Sequence, residues 1–288
     1  TNSSIAATDL STIGAATAGT VTVTNAVAIS GTQSEVTAAL VTSDSKVVAE
    51  TSVVTLSDSS IAAASVNAID THTSGLITVN ATTITGDHAD ITTAISSAGT
   101  AISGSIAVTS GNNMSSSELA AMDILTTGTI TATISDGGLD ALASLTNDNT
   151  NNALTIVVTD PAATAVELNA LDDMTSLNVD ASAVAAIESS AVSAVKTLIT
   201  NATAAGIDTD YTVTLSDESI AATDITTVDT HTSGLVTVNA TTITGDHADI
   251  TTAISSAGTA ISGSIAVTSD NNMSSSELAA MDILTTGT

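Results

Sequence analysis

The chain carries short runs of alternating apolar and polar residues, each followed by an apolar pattern of helical period. In residues 54–75 (VTLSDSSIAAASVNAIDTHTSG) valine and leucine alternate with threonine and serine over the first four positions, the period of a half-buried strand. Ala62, Val66 and Ile69 then follow at spacings of four and three, the period of one helix face. The pattern predicts a strand, a turn, a short helix and a stop at Gly75, where glycine accommodates a left-handed conformation.

Polar residues at the starts of the predicted helices have the types that cap free backbone N–H groups. Residues 57–60 (SDSS) supply turn and N-cap side chains. Ser115 and Glu118 have the spacing of a capping box. Asp160 is an N-cap candidate, and Pro161, the only proline, fits the first helical position, where its missing N–H costs nothing.

The sequence is internally repeated. Residues 51–129 recur as residues 210–288, an offset of 159 residues, and from Thr78 onward the two copies differ only at Gly111 against Asp270. Residues that end the predicted coils recur about every 53 residues, at Gly19, Gly75, Gly128, Ser176 in place of glycine, Gly234 and Gly287. The large repeat therefore contains three modules of about 53 residues, each with two coils of 20 to 30 residues.

Coils of this length with one strand each predict an α/β repeat solenoid, in which strands stack into a parallel sheet and short helices or turns form the return face. We expect residues 1–288 to form one continuous solenoid, with a pure β-solenoid as the alternative, because threonine, valine, isoleucine and glycine suit both folds. The chain begins and ends inside a repeat, so we expect a processed product or a segment of something longer. Core strands are predicted at residues 21–24, 53–57, 76–79, 106–109, 130–134, 154–159, 212–215, 235–238 and 265–268.

The composition favours thin stacked layers and limits the classes of partner that we expect. Hydrophobic residues make up 43% of the chain, yet it has no phenylalanine, no tryptophan and one tyrosine. The formal net charge is −28, with two lysines or arginines in total, so we expect no nucleic-acid partner, because phosphate binding needs cations. No apolar run reaches membrane-spanning length, so no membrane insertion is expected. The absence of cysteine excludes disulfides and thiolate chemistry.

Three stretches carry a resemblance to a known class of repeats: residues 54–75, residues 118–136 (ELAAMDILTTGTITATISD) and residues 165–184 (AVELNALDDMTSLNVDASAV). They resemble the tandem repeats of very long secreted or cell-surface proteins of bacteria, cyanobacteria in particular. The resemblance implies an extracellular or cell-surface location and a role in surface layers, sheaths, fibrils or adhesion. It implies no catalytic residues.

The histidines are the first candidate metal ligands. His72 and His231 occupy equivalent positions, as do His88 and His247, and each lies close to an aspartate in sequence. Zinc needs three or four convergent ligands, so surface histidines in turns are the simpler interpretation.

Aspartates in two turns are the second candidate. Asp136, Asp140 and Asp148 offer oxygen ligands of the kind calcium prefers, although their spacing matches no EF-hand loop. Ordinary turn chemistry is the simpler interpretation of these aspartates, with weak calcium binding as the alternative. We expect no resident cofactor, with calcium as the alternative.

Other polar patterns suggest surface chemistry. Asparagines in N-x-S/T sequons, which allow glycan attachment, lie at positions Asn2, Asn80, Asn113, Asn201, Asn239 and Asn272. Thr-x-Thr pairs that could order water as in ice-binding solenoids occur at residues 22–24 and 131–133. There is no G-x-S-x-G nucleophile motif, and we expect no enzymatic activity.

These observations predict a structural extracellular protein, the building block of a surface filament, sheath or surface layer that assembles by stacking of repeats. Its predicted partner is itself, by head-to-tail or lateral association, since open sheet edges template pairing. The alternative function is an adhesin stalk or binding module for calcium, sugar or ice.

Overall fold

The computed structural model describes residues 3–24, 26–145, 152–201 and 206–287. Its internal contacts divide the chain into two compact units, one of Thr1–Ser135 with Leu145–Leu154 and one of Asp136–Ser144 with Thr155–Thr288. Both units are α/β, and every strand pairing in the described residues is parallel.

The first unit contains short strands and five α-helices. The strands are β1 Ser4–Ala6, β2 Val21–Thr22, β3 Ala28–Gly31, β4 Val47–Val48, β5 Val53–Leu56, β6 Ser60–Ala62, β7 Ile77–Val79, β8 Thr83–Gly86, β9 Thr100–Ala101, β10 Ala107–Ser110 and β11 Ile130–Thr133. Strand β12, Ala153–Thr155, begins in this unit. The helices are α1 Ala7–Ala16, α2 Gln33–Leu40, α3 Ala63–Asp70, α4 His88–Ser96 and α5 Ser116–Leu125, with a 3-10 turn at Ser43–Ser45.

The second unit repeats this plan. Its helices are α6 Leu139–Leu142, α7 Ala165–Asp172, α8 Val192–Thr200, α9 Ala222–Asp229, α10 His247–Ser255 and α11 Ser275–Leu284. Its strands are β13 Ala162–Ala163, β14 Ala186–Ser190, β15 Thr212–Leu215, β16 Ser219–Ala221, β17 Val236–Val238, β18 Thr242–Gly245, β19 Thr259–Ile261 and β20 Ala266–Ser269.

Strands pair with the strand that occupies the same place one coil later. The sheets run β1-β3-β5-β7-β9, β6-β8-β10-β11-β12 and β2-β4, then β13-β14-β15-β17-β19 and β16-β18-β20. Paired residues are 22 to 26 positions apart, as in Ser60↔Thr83 and Thr83↔Ala107. We call each stretch between such equivalent positions a coil. Most coils contribute one strand to each of two sheets and one helix, so the helices also stack.

The core is a narrow layer of small aliphatic side chains between strands and helices. Along β11 and the bridge that follows it, Ile130, Ala132 and Ile134 point inward at 0 to 5% exposure, while Thr131 and Thr133 are exposed. Helical residues such as Val66 of α3 are fully buried against such strands. Apolar contacts of this kind supply most of the stabilisation of helices too short to persist alone.

Each of the nine predicted strands overlaps an observed strand, and the prediction of an α/β fold is confirmed. The pure β alternative is wrong, because the return segments are helices. Sequence reasoning underestimated the number of strands, since most coils contain two strands rather than one. The additional strands are only two to five residues long, and runs such as Ser60–Ala62 (SIA) are too short to show a period.

The predicted start of α7 at Pro161 is wrong. The helix begins at Ala165, where the Thr164 hydroxyl accepts from the Glu167 N–H at 3.2 Å and the Glu167 carboxylate accepts from the Thr164 N–H at 2.8 Å. This capping box satisfies more free N–H groups than Asp160 alone could. The box predicted at the start of α5, between Ser115 and Glu118, is confirmed.

The left-handed conformation predicted for Gly75 is also wrong. Positive φ among the described glycines occurs at Gly86, Gly206 and Gly245. At Gly75 the reason for glycine is space, because a Cβ there would overlap the Ser52 carbonyl and lie 2.5 Å from its carbon. The side chain is absent so that two backbones can approach closely.

Candidate functional site

The residues that the structure organises most regularly lie at the interface between successive coils. A helix leaves its first N–H groups without intrahelical partners. In six helices the N–H of the first residue donates to a side-chain oxygen from the next coil. The pairs are Gln33 to Asp58 (2.6 Å), His88 to Asn112 (3.0 Å), Leu139 to Asp160 (2.7 Å), Ala165 to Ser190 (3.0 Å), Val192 to Asp217 (2.7 Å) and His247 to Asn271 (3.2 Å).

These intercoil caps correct the interpretation of the SDSS stretch. Helix α3 begins at Ala63 after β6, and its N-cap residue Ala62 makes no side-chain cap. Asp58 instead caps α2 of the preceding coil, while Asp160 caps α6. The same side chain therefore marks a turn in its own coil and fastens the helix of the previous one.

A second recurrent contact is a threonine two residues before the coil-ending glycine. The Thr73 hydroxyl donates to the Ser52 carbonyl of the preceding coil at 2.6 Å and accepts from the Gly75 N–H at 3.0 Å. The same pair of bonds recurs in three further coils, at Thr126, Thr232 and Thr285. We call this arrangement the Thr-x-Gly clamp.

In the α7 coil the clamp position corrects the repeat alignment. The Thr175 hydroxyl accepts from the Leu177 N–H at 3.1 Å, so Leu177 stands where the other coils have glycine. Sequence spacing had placed Ser176 there. Leu177 is 43% exposed, which leaves room for its side chain.

His88 joins helix α4 to two parts of the next coil. From the start of α4 its Nδ1 lies 3.2 Å from Asn112 Oδ1, in the turn after β10, and its Nε2 lies 2.9 Å from Glu118 Oε1 in α5. His247 makes the same contacts to Asn271 and Glu277 in the second copy. These histidines are therefore partly buried intercoil contacts rather than exposed turn residues.

The glutamate of this contact is electrostatically stabilised. Hydrogen bonds from the Ser115 backbone N–H and hydroxyl hold the pKa of Glu118 below its usual value, and His88 acts in the same direction. Ser274 and His247 lower the pKa of Glu277 in the same way. The charged carboxylate is thus favoured when the capping box is formed.

The other two histidines differ, one contacting its own helix and the other the preceding coil. His72 follows α3, is exposed, and its Nδ1 lies 2.9 Å from the Ala68 carbonyl of the same helix. His231 Nδ1 lies 3.4 Å from the hydroxyl of Tyr211, a residue of 1% exposure whose burial raises its pKa.

The calcium candidates are not assembled into a ligand set by the described residues. Asp140 is exposed in the first turn of the four-residue helix α6, and Asp136 is half-buried before it. Asp148 lies outside the described residues. In the part of the chain that the structure describes, no three or more histidine, aspartate or glutamate side chains converge as a metal site.

Two carboxylates in or near α7 have shifted pKa values, and burial and hydrogen bonding shift the pKa in opposite directions. Burial, followed by the charge of Asp173, raises the pKa of Asp172, although Asn201 donates to it at 3.3 Å. The Ser182 hydroxyl and backbone N–H lower the pKa of Asp180. Asp172 is the last residue of α7, and Asp180 lies in a parallel β-bridge with Val157.

The predicted surface chemistry falls on exposed positions, with one exception. Sequon asparagines Asn80, Asn113, Asn239 and Asn272 are exposed, Asn201 is half-buried, and Asn2 lies outside the described residues. The Thr-x-Thr pairs at residues 22–24 and 131–133 are exposed as well. Thr85, Thr109 and Thr131 lie in register on three adjacent strands and form a threonine ladder.

The two sequence copies differ in how their last coil is covered. Leu119 of α5 is 1% exposed, whereas its counterpart Leu278 of α11 is 56% exposed. Around Leu278 a groove of about 350 Å³ is lined by apolar residues that include Val267 and Met273. We call Val267, Met273 and Leu278 the α11 face.

None of the helices in the described ranges has the length and apolar character that crossing a membrane requires. Comparison with protein-family models, with curated proteins and with solved structures finds no match. The functional interpretation therefore depends on the geometry of the coils themselves.

Proposed function

We propose that this chain is a structural protein of the cell exterior, a building block of a surface filament, sheath or surface layer. Each unit would be a segment of an α/β solenoid, and the chain would assemble with itself by stacking of repeats. The observation that carries the proposal is the intercoil cap. Six helices place a hydrogen-bond donor where the next coil supplies the acceptor, so each coil is built to receive another.

The distribution of chemistry supports a structural role over catalysis. Several of the described carboxylates and histidines serve turns, helix caps and intercoil contacts, as Asp58 and His88 do. An enzyme needs titratable groups that converge on a pocket. We therefore propose that the chain is not an enzyme and has no resident cofactor.

Charge and composition support an extracellular location and self-association. A net charge of −28 disfavours nucleic acid and anionic membrane surfaces as partners. Exposed sequons such as those of Asn80 and Asn239 are compatible with surface glycans. Parallel sheets leave open edges, which pair with further strands when these are supplied.

Electron microscopy of the purified chain tests this proposal. We expect long filaments of uniform width that persist when a chelator is added. Isolated particles at every protein concentration and ionic strength would contradict self-assembly. Filaments that dissolve in chelator would mean that calcium bridges the subunits.

The alternative, an adhesin stalk or binding module for calcium, sugar or ice, is favoured by one observation. The threonine ladder of Thr85, Thr109 and Thr131 presents hydroxyls at the regular spacing of adjacent strands, about 4.8 Å. An ice-recrystallisation assay and a glycan array, each with a Thr109→Val variant, test it. Activity that this variant loses would favour the binding module.

A further inference from the structure

Two histidines, His88 and His247, have a hydrogen-bond acceptor opposite each ring nitrogen. His88 Nδ1 lies 3.2 Å from Asn112 Oδ1, and His88 Nε2 lies 2.9 Å from Glu118 Oε1. His247 makes the same two contacts at the same distances in the second copy. A neutral imidazole has one N–H group and can donate to only one of two such partners. The arrangement therefore fits a doubly protonated imidazolium better than either neutral tautomer.

The side-chain orientation of Asn112 is fixed by further donors. Its Oδ1 also accepts from the His88 backbone N–H at 3.0 Å and from the Ser110 hydroxyl at 3.1 Å. Turning the amide over would place its NH2 group against the backbone N–H, donor against donor. The oxygen therefore faces the ring, and a neutral His88 with its proton on Nε2 would place two lone pairs in contact.

The other partner of the ring is held as a charged carboxylate. Glu118 Oε2 accepts from the Ser115 backbone N–H at 2.7 Å and from the Ser115 hydroxyl at 2.8 Å. These bonds lower the pKa of Glu118, and Oε1 is the atom that faces His88. An ionised carboxylate only accepts hydrogen bonds, so the bond requires a proton on His88 Nε2. Both bonds of the ring form together only when the imidazole carries two protons.

We propose that His88 and His247 are proton-operated locks between coils. Protonation completes the second hydrogen bond of the ring and adds an ion pair with the glutamate, which tightens the helix against the next coil. Loss of the proton removes both. Because folding offers the proton two acceptors, the contribution to stability is complete in mild acid and is lost as pH rises. The lock lies within one chain, so it goes beyond the proposed function and does not depend on assembly.

The charged side chains around the first lock are acidic. Helix α4 packs against α3, α5, β8, β9 and β10. The acidic residues on α4, at its N-cap and on these elements are Asp70, Asp87, Asp90, Glu118 and Asp123. Asp70 accepts from the Ser97 hydroxyl, which lies just after the other end of α4. Glu118 is therefore the carboxylate that operates with His88.

The second lock has the same surroundings with more charge. The corresponding acidic residues are Asp224, Asp229, Asp246, Asp249, Glu277 and Asp282, with Asp270 in place of Gly111. The two lysines of the chain are bound to other groups, Lys46 to the Thr17 carbonyl and Lys196 to Asp224. A histidine proton is therefore the positive charge that contacts Glu277.

Nitrogen NMR of the imidazole side chains in the full chain tests the protonation state, because it distinguishes imidazolium from both neutral tautomers. The titration runs from about pH 5.5 to about pH 8.5, which brackets the ordinary histidine range. His88→Gln and His247→Gln assign the signals, and the exposed His72 is the internal reference. At the pH where His72 is half-protonated, we expect His88 and His247 to remain mostly doubly protonated.

Stability should follow the same proton. The difference in urea midpoint between wild type and the double variant His88→Gln/His247→Gln should be at least about twofold larger at about pH 5.5 than at about pH 8.5. Glutamine can donate a hydrogen bond but carries no charge. The pKa of Glu118 is lowered, so its carboxylate stays ionised throughout this interval. His72→Gln is the matched control and should show no such pH dependence.

The inference would be overturned if His88 and His247 lost their protons at the same pH as His72, or if the stability difference were equal at both pH values. Asn112→Ala provides a second test that needs no histidine replacement. It removes the acceptor of Nδ1, so His88 should lose its proton at lower pH than in wild type, while His247 in the same chain should be unchanged. An unchanged His88 would refute the lock. These results are independent of filament formation, which tests the proposed function separately.

Discussion

The Thr-x-Gly clamp explains two residue choices by one geometric requirement. The threonine hydroxyl must reach the carbonyl of the preceding coil, and this brings the following backbone against the same carbonyl. At Gly75, Gly128 and Gly234 an added Cβ would overlap that oxygen. Threonine and glycine are therefore coupled, because the hydrogen bond that one makes removes the space that any side chain on the other would need.

Substitution of Gly75 should separate close approach from backbone freedom. Gly75→Ala should destabilise the chain by about 1–3 kcal/mol, the cost of overpacking against rigid backbone. Gly104→Ala is the matched control, because nothing lies within 4 Å of its Cβ and its φ is not positive. The control should be neutral or slightly stabilising. Urea denaturation measures both, and equal effects would contradict the clamp.

The capping carboxylate Glu118 predicts a defined pH dependence. Its folded pKa is lowered, so its stabilising contribution is complete above the ordinary glutamate pKa and disappears as pH falls through the folded pKa. Glu118→Gln keeps the capping geometry and removes the charge. We expect wild type to exceed Glu118→Gln in urea midpoint at pH 7 and to lose that advantage in acid.

The chain has 30 acidic residues, and the others also titrate as pH falls. The contribution of Glu118 is therefore the difference in urea midpoint between wild type and Glu118→Gln at each pH. Glu50→Gln, at an exposed position outside any helix, provides the control. A difference in urea midpoint between wild type and Glu118→Gln that stays constant from pH 7 to pH 3 would refute the role assigned to the charge.

At the level of elements, local patterns predicted what depends on neighbours in sequence. The alternation over residues 53–57 gave β5, and the spacing of Ser115 and Glu118 gave the start of α5. Asp58 and Asp160 were misassigned, because each caps a helix 21 to 25 residues earlier in the chain. Sequence supplies the type of a capping residue but does not show which helix it reaches.

Removal of one intercoil cap should loosen one helix end. Asp58→Ala deletes the acceptor for the Gln33 N–H, which should cost about 0.5–2 kcal/mol and speed exchange of that amide. Asp58→Asn retains a side-chain oxygen and should preserve most of the stability. Exchange at the Gln33 amide, compared with other amides, shows whether the loss of stability is confined to the start of α2. Equal damage by alanine and asparagine would mean that charge, rather than capping, is what Asp58 supplies.

Across the whole chain, the same sequence gives the same coil in both units, and the adjacent coil decides its burial. Helices α4 and α10 make the same histidine contacts. Leu119 and Leu278 have the same neighbours in sequence, yet Leu119 is 1% exposed and Leu278 is 56% exposed. The secondary structure of a coil could therefore be predicted from its own sequence, whereas its neighbours could not. The intercoil contacts of the candidate site became visible only in the structure, because they depend on which coils are neighbours.

The net charge of −28 predicts how ions affect stability. Repulsion among exposed carboxylates is screened beyond about 10 Å at 0.1 M salt, so the melting temperature should rise from low to moderate NaCl. The Lys196–Asp224 ion pair weakens with salt, but an exposed pair contributes only about 0–1 kcal/mol. At equal ionic strength CaCl2 and MgCl2 should raise the melting temperature equally, because screening depends on ionic charge and concentration and both cations are divalent. A larger, saturable effect of calcium that a chelator reverses would refute this prediction and establish a specific calcium site.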